Sequence, residues 1–584
     1  MVIANIPPRR ACWLRPHLIA FLSLTLVSLL PVVAPNGVAA QAGSTQVSKA
    51  QASKQISKRD RTAATESGIV KVLVYSNPPD FHSPWQKIGT SFASGSGVIL
   101  DGKRILTAAH VVTDAVDIQV VRAGSGEPFE ATVEQIGHDC DLALLRVADD
   151  RFFAGVQTLP LGDMPSVNDQ VQTYGFPVGG ETLSVTSGVV SRVEVGEYTH
   201  SRDRLLLAQI DAPINPGSSG GPVLAEGAIV GIASQTLEKA QSVGYMVPVP
   251  VIRHFLTDIE DGRYDGFPTL GVELQGLQNP AQREALSMNA SQSGALVTRI
   301  DDGGPAAQQL KPLDVILAVE GLPVAGDLTV ALPDLGRVAF EAAYESKQLG
   351  EKVRLSILRA GKPLDVDIQL TPHQALVPGR RAHDQPDYLV FAGLVFQPLT
   401  FEYLDALGDP PADLVNYATL QNIVRPDRKQ ILLISAVLPD AINRGYQDWE
   451  DSTVATVNGL VPRDIADLAR ILDEARGPWV EIVTEDHSIL TLRIDDVRTA
   501  QPRILDNFGI ACDRCGNLQA ATAAAGKGGS CRQDIAAAAS KAAPATDVTA
   551  TGGTVAAPAR SVSAPAKEVA DKTASLEDKP PPVR

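Results

Sequence analysis

The run Asn215-Pro216-Gly217-Ser218-Ser219-Gly220-Gly221-Pro222 constrains this chain more than any other stretch. Taken alone, a Gly/Ser-rich segment reads as a surface loop. Its flanks argue otherwise. β-Favouring apolar residues stand on both sides, and PVL-AEG-AIVGIA downstream reads as a strand, a Gly-containing turn and a second strand. The loop is therefore fixed between sheet elements. Gly217 removes a side chain where a tight turn needs the space, and Gly220 and Gly221 clear the far side, so backbone N–H groups can point inward beside a serine. Ser219 in such a loop becomes a nucleophile when a histidine base and an orienting carboxylate reach it.

The chain supplies both. Gly97–Leu100, Asp101-Gly102 and Lys103–Thr107 read as a hairpin with a type I′ turn, and its second strand runs into Thr107-Ala108-Ala109-His110. Small residues before His110 let the imidazole sit against a packed wall. Further on, His138-Asp139-Cys140-Asp141 leads into LALLRV, which puts Asp141 at the mouth of a strand, where a buried acid needs a partner. A lone histidine is usually structural, and an aspartate before a strand is usually a turn residue. Three agreeing contexts in the order His110, Asp141, Ser219 instead match the chymotrypsin-type triad.

A length of 584 residues exceeds one core and predicts about three to four domains. The 48 glycines and 41 prolines, with aromatics at only 5%, fit a β-rich chain with some unstructured sequence. A net charge of −16 argues against nucleic acid or an anionic membrane surface as the main partner. No nucleotide or metal motif stands out, and no cofactor is expected.

Residues 1–40 carry a basic start, an apolar run from Leu18 to Leu30 and the small residues Val38-Ala39-Ala40, the pattern of a cleaved signal peptide. The alternative is an uncleaved membrane anchor, for which the run is short and is interrupted by Pro31. Export would place the remaining cysteines in an oxidising compartment. Cys512 and Cys515, with Cys531 nearby and no histidine, fit a local disulfide better than a zinc site, and Cys140 reads as a small core residue.

Residues 41–68 form a polar linker, and order begins near Ile69 with the strand IVKVLVY. Phe81 and Trp85 stand out in the loop that follows, either as local packing or as a subunit contact. Pro250 to Gly262 reads as an amphipathic helix closing a first domain, 69–262. GALVTRI, DVILAVEGLPV and VRLSIL then recur in kind as ILLISAV, STVATVNGLVP and VEIVTE, so 263–375 and 385–500 read as two copies of one domain joined by the linker HQALVPGRRAHDQP. Asp464 to Gly477 is a marked helix, and 501–584 reads as a disordered tail.

TAAHVV, DCDLALLRV, GFPVGGETLSVTSGVVSR and DAPINPGSSGGPV resemble the HtrA/Deg family of serine proteases. GFPTLGVELQGLQNPAQREAL and DYLVFAGLVFQPL extend the resemblance to the branch best known from plant organelles, over about residues 69–500. It implies a mainly β chain, a chymotrypsin-like double β-barrel followed by two PDZ domains. It implies an exported, periplasmic, ATP-independent endopeptidase acting on unfolded or damaged proteins, assembled as a homotrimer or hexamer. The rival reading is a weak or inactive PDZ scaffold or holdase chaperone, supported by Ser218 where the family usually has Asn.

In that frame Gly217 and Ser219 would donate the oxyanion-hole N–H groups. Pro213 occupies the position six before the serine where trypsin-like enzymes carry a carboxylate, so Ile214, Ile232 and Ala233 would line an S1 pocket for small aliphatic side chains. The peptide-binding loops would be Leu270, Gly271 and Val272 in the first PDZ copy and Gly393, Leu394 and Val395 in the second, where an extended C-terminal peptide adds to a sheet edge. For the second copy, a glycine at an ordinary strand start is the competing reading.

Overall fold

The computed structural model describes residues 65–236, 244–372, 375–380, 385–515 and 518–519. The expected signal segment, nearly all of the polar linker after it and the sequence beyond 519 lie outside the described residues. Two closed six-stranded barrels come first. The strands of the first are β1 (Ile69–Ser76), β2 (Ser91–Leu100), β3 (Arg104–Thr107), β4 (Ala115–Arg122), β5 (Pro128–Gly137) and β6 (Leu142–Val147), closing in the order β1-β2-β3-β6-β5-β4. The second contains β7 (Gln170–Gly175), β8 (Ser184–Glu197), β9 (Arg204–Ile210), β10 (Pro222–Ala225), β11 (Ala228–Thr236) and β12 (Gly244–Pro248). Read from β7, its order is β7-β8-β9-β12-β11-β10, the same connectivity.

LALLRV is apolar almost throughout because β6 is buried on both faces. Ala143 and Leu145 point into the first barrel with Val70, Val72 and Ile105. Leu142 and Leu144 point the other way, into a layer between the barrels with Leu106, Phe176, Leu207 and Val247. The helix α1 (Val249–Asp258) closes this layer with Val251, Ile252 and Phe255, and Gly262 at φ 89° ends the short 3-10 turn after it. His110 and Asp141 of the first barrel and Ser219 of the second come together where the two barrels meet.

The β2–β3 connection differs from expectation. Leu100 pairs with Arg104, leaving the three-residue loop Asp101-Gly102-Lys103, and the left-handed residues are Gly102 and Lys103 rather than Asp101 and Gly102.

The two PDZ copies share a strand order. The first is a sheet β13 (Val272–Gly276), β14 (Ala295–Ile300), β15 (Val315–Val319), β19 (Lys352–Arg359) and β20 (Lys362–Gln369), with β16 (Leu322–Pro323) on β15 and the hairpin β17 (Thr329–Leu332) to β18 (Gly336–Ala339) set apart. The second runs β21 (Leu389–Phe391), β22 (Leu394–Pro398), β23 (Leu432–Val437), β24 (Ser452–Val457), β25 (Trp479–Thr484) and β26 (Ile489–Arg493). It carries the helices α2 (Ile465–Asp473), capped by the Asp464 carboxylate, and α3 (Ile494–Asn507).

Order therefore extends past the expected boundary at 501. Ile504 and Leu505 are core residues of the second copy, and Arg514 bridges to Leu389 and pairs with Asp473. Cys512 is disulfide-bonded while Cys515 is a buried free thiol, so the two cysteines of the C-x-x-C pair are not bonded to each other. Phe81 and Trp85 are neither purely local nor left outside. The Trp85 ring meets Tyr388 edge-on at 6.1 Å, and the Phe81 carbonyl accepts from Gln397 Nε2 at 2.7 Å, so the β1–β2 loop docks on the second PDZ copy. Leu376 and Val377 of the expected linker are buried in that same contact.

Candidate active site

Asn215-Pro216-Gly217-Ser218 makes a turn closed by the Ser218 N–H donating to Asn215 O at 2.8 Å. Pro216 presets the first central residue, and Gly217 takes the left-handed second one at φ 93°. A Cβ on Gly217 would fall 2.5 Å from Phe176 O, so only glycine fits. Among the described residues, the Gly217 and Ser219 amides donate to no partner. Ser218, standing where the family usually has Asn, is buried and keeps the turn through its backbone.

A residue that the sequence did not single out holds this loop. Ser96 is fully buried on β2; its N–H donates to Ser219 O (2.8 Å) and its hydroxyl to Gly217 O (2.8 Å) while accepting from Phe176 N–H (2.8 Å). Thr107 Oγ1 in turn donates to Ser96 O at 2.7 Å. The first barrel thereby fixes a loop that belongs to the second. The repeated small residues around Ser96 in SGSG were the available signal.

His110 sits on the one-turn helix Ala109–Val112 that follows β3. Its Nδ1 lies 2.8 Å from Asp141 Oδ2 and 3.0 Å from Oδ1, and its N–H donates to Oδ1 at 2.9 Å. Ser234 on β11, also missed from sequence, donates its hydroxyl to Asp141 Oδ2 at 2.6 Å. Ser219 Oγ donates to the Ser234 carbonyl at 3.2 Å and is not hydrogen-bonded to His110. Asp141 is 1% exposed, and burial would raise its pKa; the His110 charge and hydrogen bond, with lesser help from His200 and Ser234, outweigh that and hold the carboxyl well below the usual range. For His110, burial works to lower the pKa, but the charge and hydrogen bond of Asp141 raise it above its ordinary value. Beside them the ring of His200 lies 6.1 Å from that of His110, and its Nε2 is 2.8 Å from Nδ1 of buried His138.

The expected S1 residues divide. Ile214 and Ala233 share a cluster with Met246 inside the second barrel, and Ile214 also packs on Gly244. Ile232 points to the opposite face of β11, into the layer between the barrels. Neighbouring residues of a strand cannot line one pocket, so Ile232 leaves the set.

The peptide loops divide too. In the first copy Leu270 is buried, Gly271 takes φ 63°, and Val272 opens β13, which among the described residues pairs only with β14 and leaves its other edge free. In the second copy the corresponding strand β22 has β21 of the same chain on that edge, with Val390 opposite Val395 and Phe391 opposite Leu394. Ala392 and Gly393, both at positive φ, form a two-residue hairpin turn. Gln501 of α3 clamps that turn, donating to Val390 O (2.7 Å) and accepting from Ala392 N–H (2.8 Å). Gly393, Leu394 and Val395 thus border an edge already filled by residues Leu389–Phe391.

Comparison with known proteins agrees with this architecture. Residues 95–232 match the trypsin-like peptidase domain, and residues 268–370 and 377–517 each match a PDZ domain family. Fold and site together define a trypsin-like serine endopeptidase with two PDZ domains. The chain is 37% identical over 461 residues to Protease Do-like 2, chloroplastic, of Arabidopsis thaliana, covering 77% of this chain and 75% of that one. It is 34% identical over 472 residues to Protease Do-like 4, mitochondrial, of the same plant, covering 81% and 89%. The chain belongs to the Do-like (HtrA/Deg) family of serine proteases, in the branch of these plant-organelle relatives. Among solved structures it is similar to an HtrA-type protease, AlgW with decapeptide, at 22% identity and a TM-score of 0.41, covering 56% of this chain and 99% of that one.

Proposed function

We propose that Ser219 is the nucleophile, His110 the general base and Asp141 the orienting acid of an ATP-independent endopeptidase that degrades unfolded or damaged proteins. One observation carries this reading: Asp141 is shared between His110 Nδ1 and the Ser234 hydroxyl, while the Ser234 carbonyl holds the Ser219 hydroxyl. With Nδ1–H donating to the carboxylate, Nε2 keeps its lone pair for the Ser219 proton once that hydroxyl turns away from Ser234 O. His110 then returns the proton to the leaving amine, and Asp141 steadies the imidazolium between the two steps. The Gly217 and Ser219 amides receive the oxyanion, a role in which losing one donor costs about 10²–10³ in rate. With Pro213 where trypsin-like enzymes carry a carboxylate, the S1 pocket at Ile214 and Ala233 takes small aliphatic side chains.

The first PDZ copy, whose β13 edge is free among the described residues, receives extended C-terminal peptides and recruits substrate or regulates the site. The disulfide at Cys512 supports an exported, oxidising location, the periplasm, and assembly into homotrimers or hexamers follows the resemblance. The test is incubation of the pure protein with unfolded casein and with a fluorophosphonate probe, activating peptides being added in parallel. Cleavage and labelling that vanish in Ser219→Ala support the reading. A wild type that neither labels nor cleaves under any of these conditions leaves the scaffold or holdase in its place.

A further inference from the structure

His138-Asp139-Cys140-Asp141 is a turn closed by the Asp141 N–H donating to His138 O at 3.2 Å, and it delivers Asp141 at φ 54°. Aspartate tolerates this left-handed conformation but does not prefer it, so something must hold it. The side chain of Asp139 caps the turn. Its Oδ1 accepts from Cys140 N–H (2.9 Å) and from the Tyr264 hydroxyl, and its Oδ2 accepts from Phe267 N–H (3.2 Å). Its carbonyl accepts from Ser201 Oγ at 3.0 Å. Tyr264 and Phe267 lie in the segment 262–268 that joins α1 to the first PDZ copy.

Tyr264 is built into this place. A Cβ on Gly137 would fall 2.6 Å from its Cζ and 2.8 Å from its hydroxyl, so the glycine exists where the ring must pass. The same hydroxyl lies 3.5 Å from Cys140 Sγ, and the ring packs at 5.4 Å from Phe255. Burial and the Asp139 charge push the phenol far above its ordinary pKa, which keeps it a donor.

We infer that Asp139 is a positioning residue for Asp141, held in place by Tyr264 and Phe267, so that the linker to the first PDZ copy sets the geometry of the triad acid. The inference rests on the triad reading above. Its physical content is that the Asp141 carboxylate is fixed from two directions: His110 and Ser234 hold the head, and the Asp139 cap holds the backbone beneath it. Movement of the linker releases the cap and lets the turn relax out of the left-handed region. The carboxylate then loses its alignment on His110 Nδ1, the imidazole loses the partner that raises its pKa, and the base is less well oriented.

The experiment uses the full chain with fluorogenic unfolded casein from pH 5 to 9, rates being normalised to the fluorophosphonate-labelled fraction. Tyr264→Phe removes one hydroxyl. It is expected to lower kcat roughly tenfold, to leave KM within about twofold, and to move the acid limb of the profile to lower pH. Gly137→Ala, whose added methyl pushes the ring and its hydroxyl away while leaving the hydroxyl in the protein, is expected to do the same. Asp139→Asn places an amide opposite the Phe267 N–H, and combined with Tyr264→Phe it should cost less than the product of the two separate losses. An unmoved acid limb and wild-type kcat in Tyr264→Phe overturn the inference, as does a loss confined to KM. Wild type that fails to label would instead sink the triad reading itself.

Discussion

The hydroxyl of Ser234 stands 2.6 Å from Asp141 Oδ2, and the carbonyl of the same residue accepts the hydroxyl of Ser219. One residue of β11 thus fixes the spacing between the Asp141 carboxylate and the Ser219 hydroxyl, which come from different barrels. Ser234→Ala removes the first contact and keeps the second. A hydrogen bond to a charged group contributes about 1.5–3 kcal/mol. We expect kcat to fall by roughly one to two orders of magnitude with KM little changed, since the carboxylate loses an orienting donor at the step where His110 becomes charged. Steady-state kinetics on an unfolded substrate, with a melting curve to show that the variant folds, checks this.

With His110 as the proposed base, the pH dependence of the reaction follows from its imidazole. The base must be neutral, and Asp141 raises its pKa above 6.5 against the opposing effect of burial. Activity is therefore lost as pH falls through a midpoint above 6.5. Asp141→Asn removes the charge and puts an amide in place of the carboxylate, so the midpoint moves to lower pH while the rate drops by about 10⁴ from the wrong tautomer. A kcat/KM profile against pH reads both effects; a limb that stays in place when Asp141 is replaced contradicts the assignment.

Ser96 offers a test of how the loop is held. Its buried hydroxyl satisfies the Phe176 N–H and the Gly217 carbonyl together. Ser96→Ala strands both, at about 1–3 kcal/mol for each buried group left without a partner. We expect a lower melting temperature and a probe-labelling rate reduced further than the melting shift alone explains. Such a split would show that Ser96 orders the oxyanion loop as well as stabilising the barrel.

How much of this could be read from the sequence depends on the range of the interaction. His110, Asp141 and Ser219 stood in local contexts that each carried a signal, and the structure links them through Ser234. Ser96 and Ser234 act mainly through partners far away in the chain, Gly217 and Phe176 for the one and Asp141 for the other, and a single serine in a strand carries no mark of that. Ile232 was misplaced by ignoring the two-residue period of β11, which the sequence does contain. The second peptide loop failed for a different reason. FAGL reads equally well as a carboxylate cradle or as a hairpin turn, and only the clamp from Gln501, more than a hundred residues downstream, decides for the hairpin.

Glu345 ties the first PDZ copy to the second barrel. Its Oε1 accepts from the Leu206 N–H at 2.9 Å, and its Oε2 has no hydrogen-bond partner among the described residues. Burial pushes its pKa up from 4.5 to about 7; the Leu206 N–H opposes the shift, and the nearby Glu341 charge adds to it. For an acid whose pKa is raised on docking, the docked state binds the extra proton. Docking is therefore firmest below about pH 4.5 and weakens as pH rises toward 7, by roughly 3 kcal/mol over the whole window at 1.36 kcal/mol per unit. Glu345→Gln keeps the acceptor for Leu206 and removes the charge. Wild type should lose interdomain protection, read as hydrogen exchange at the β9 amides, between pH 5 and 8, and the variant should hold it. Equal pH sensitivity in both proteins would assign the effect to another group, with Glu341, whose own pKa is raised by burial, the first to replace.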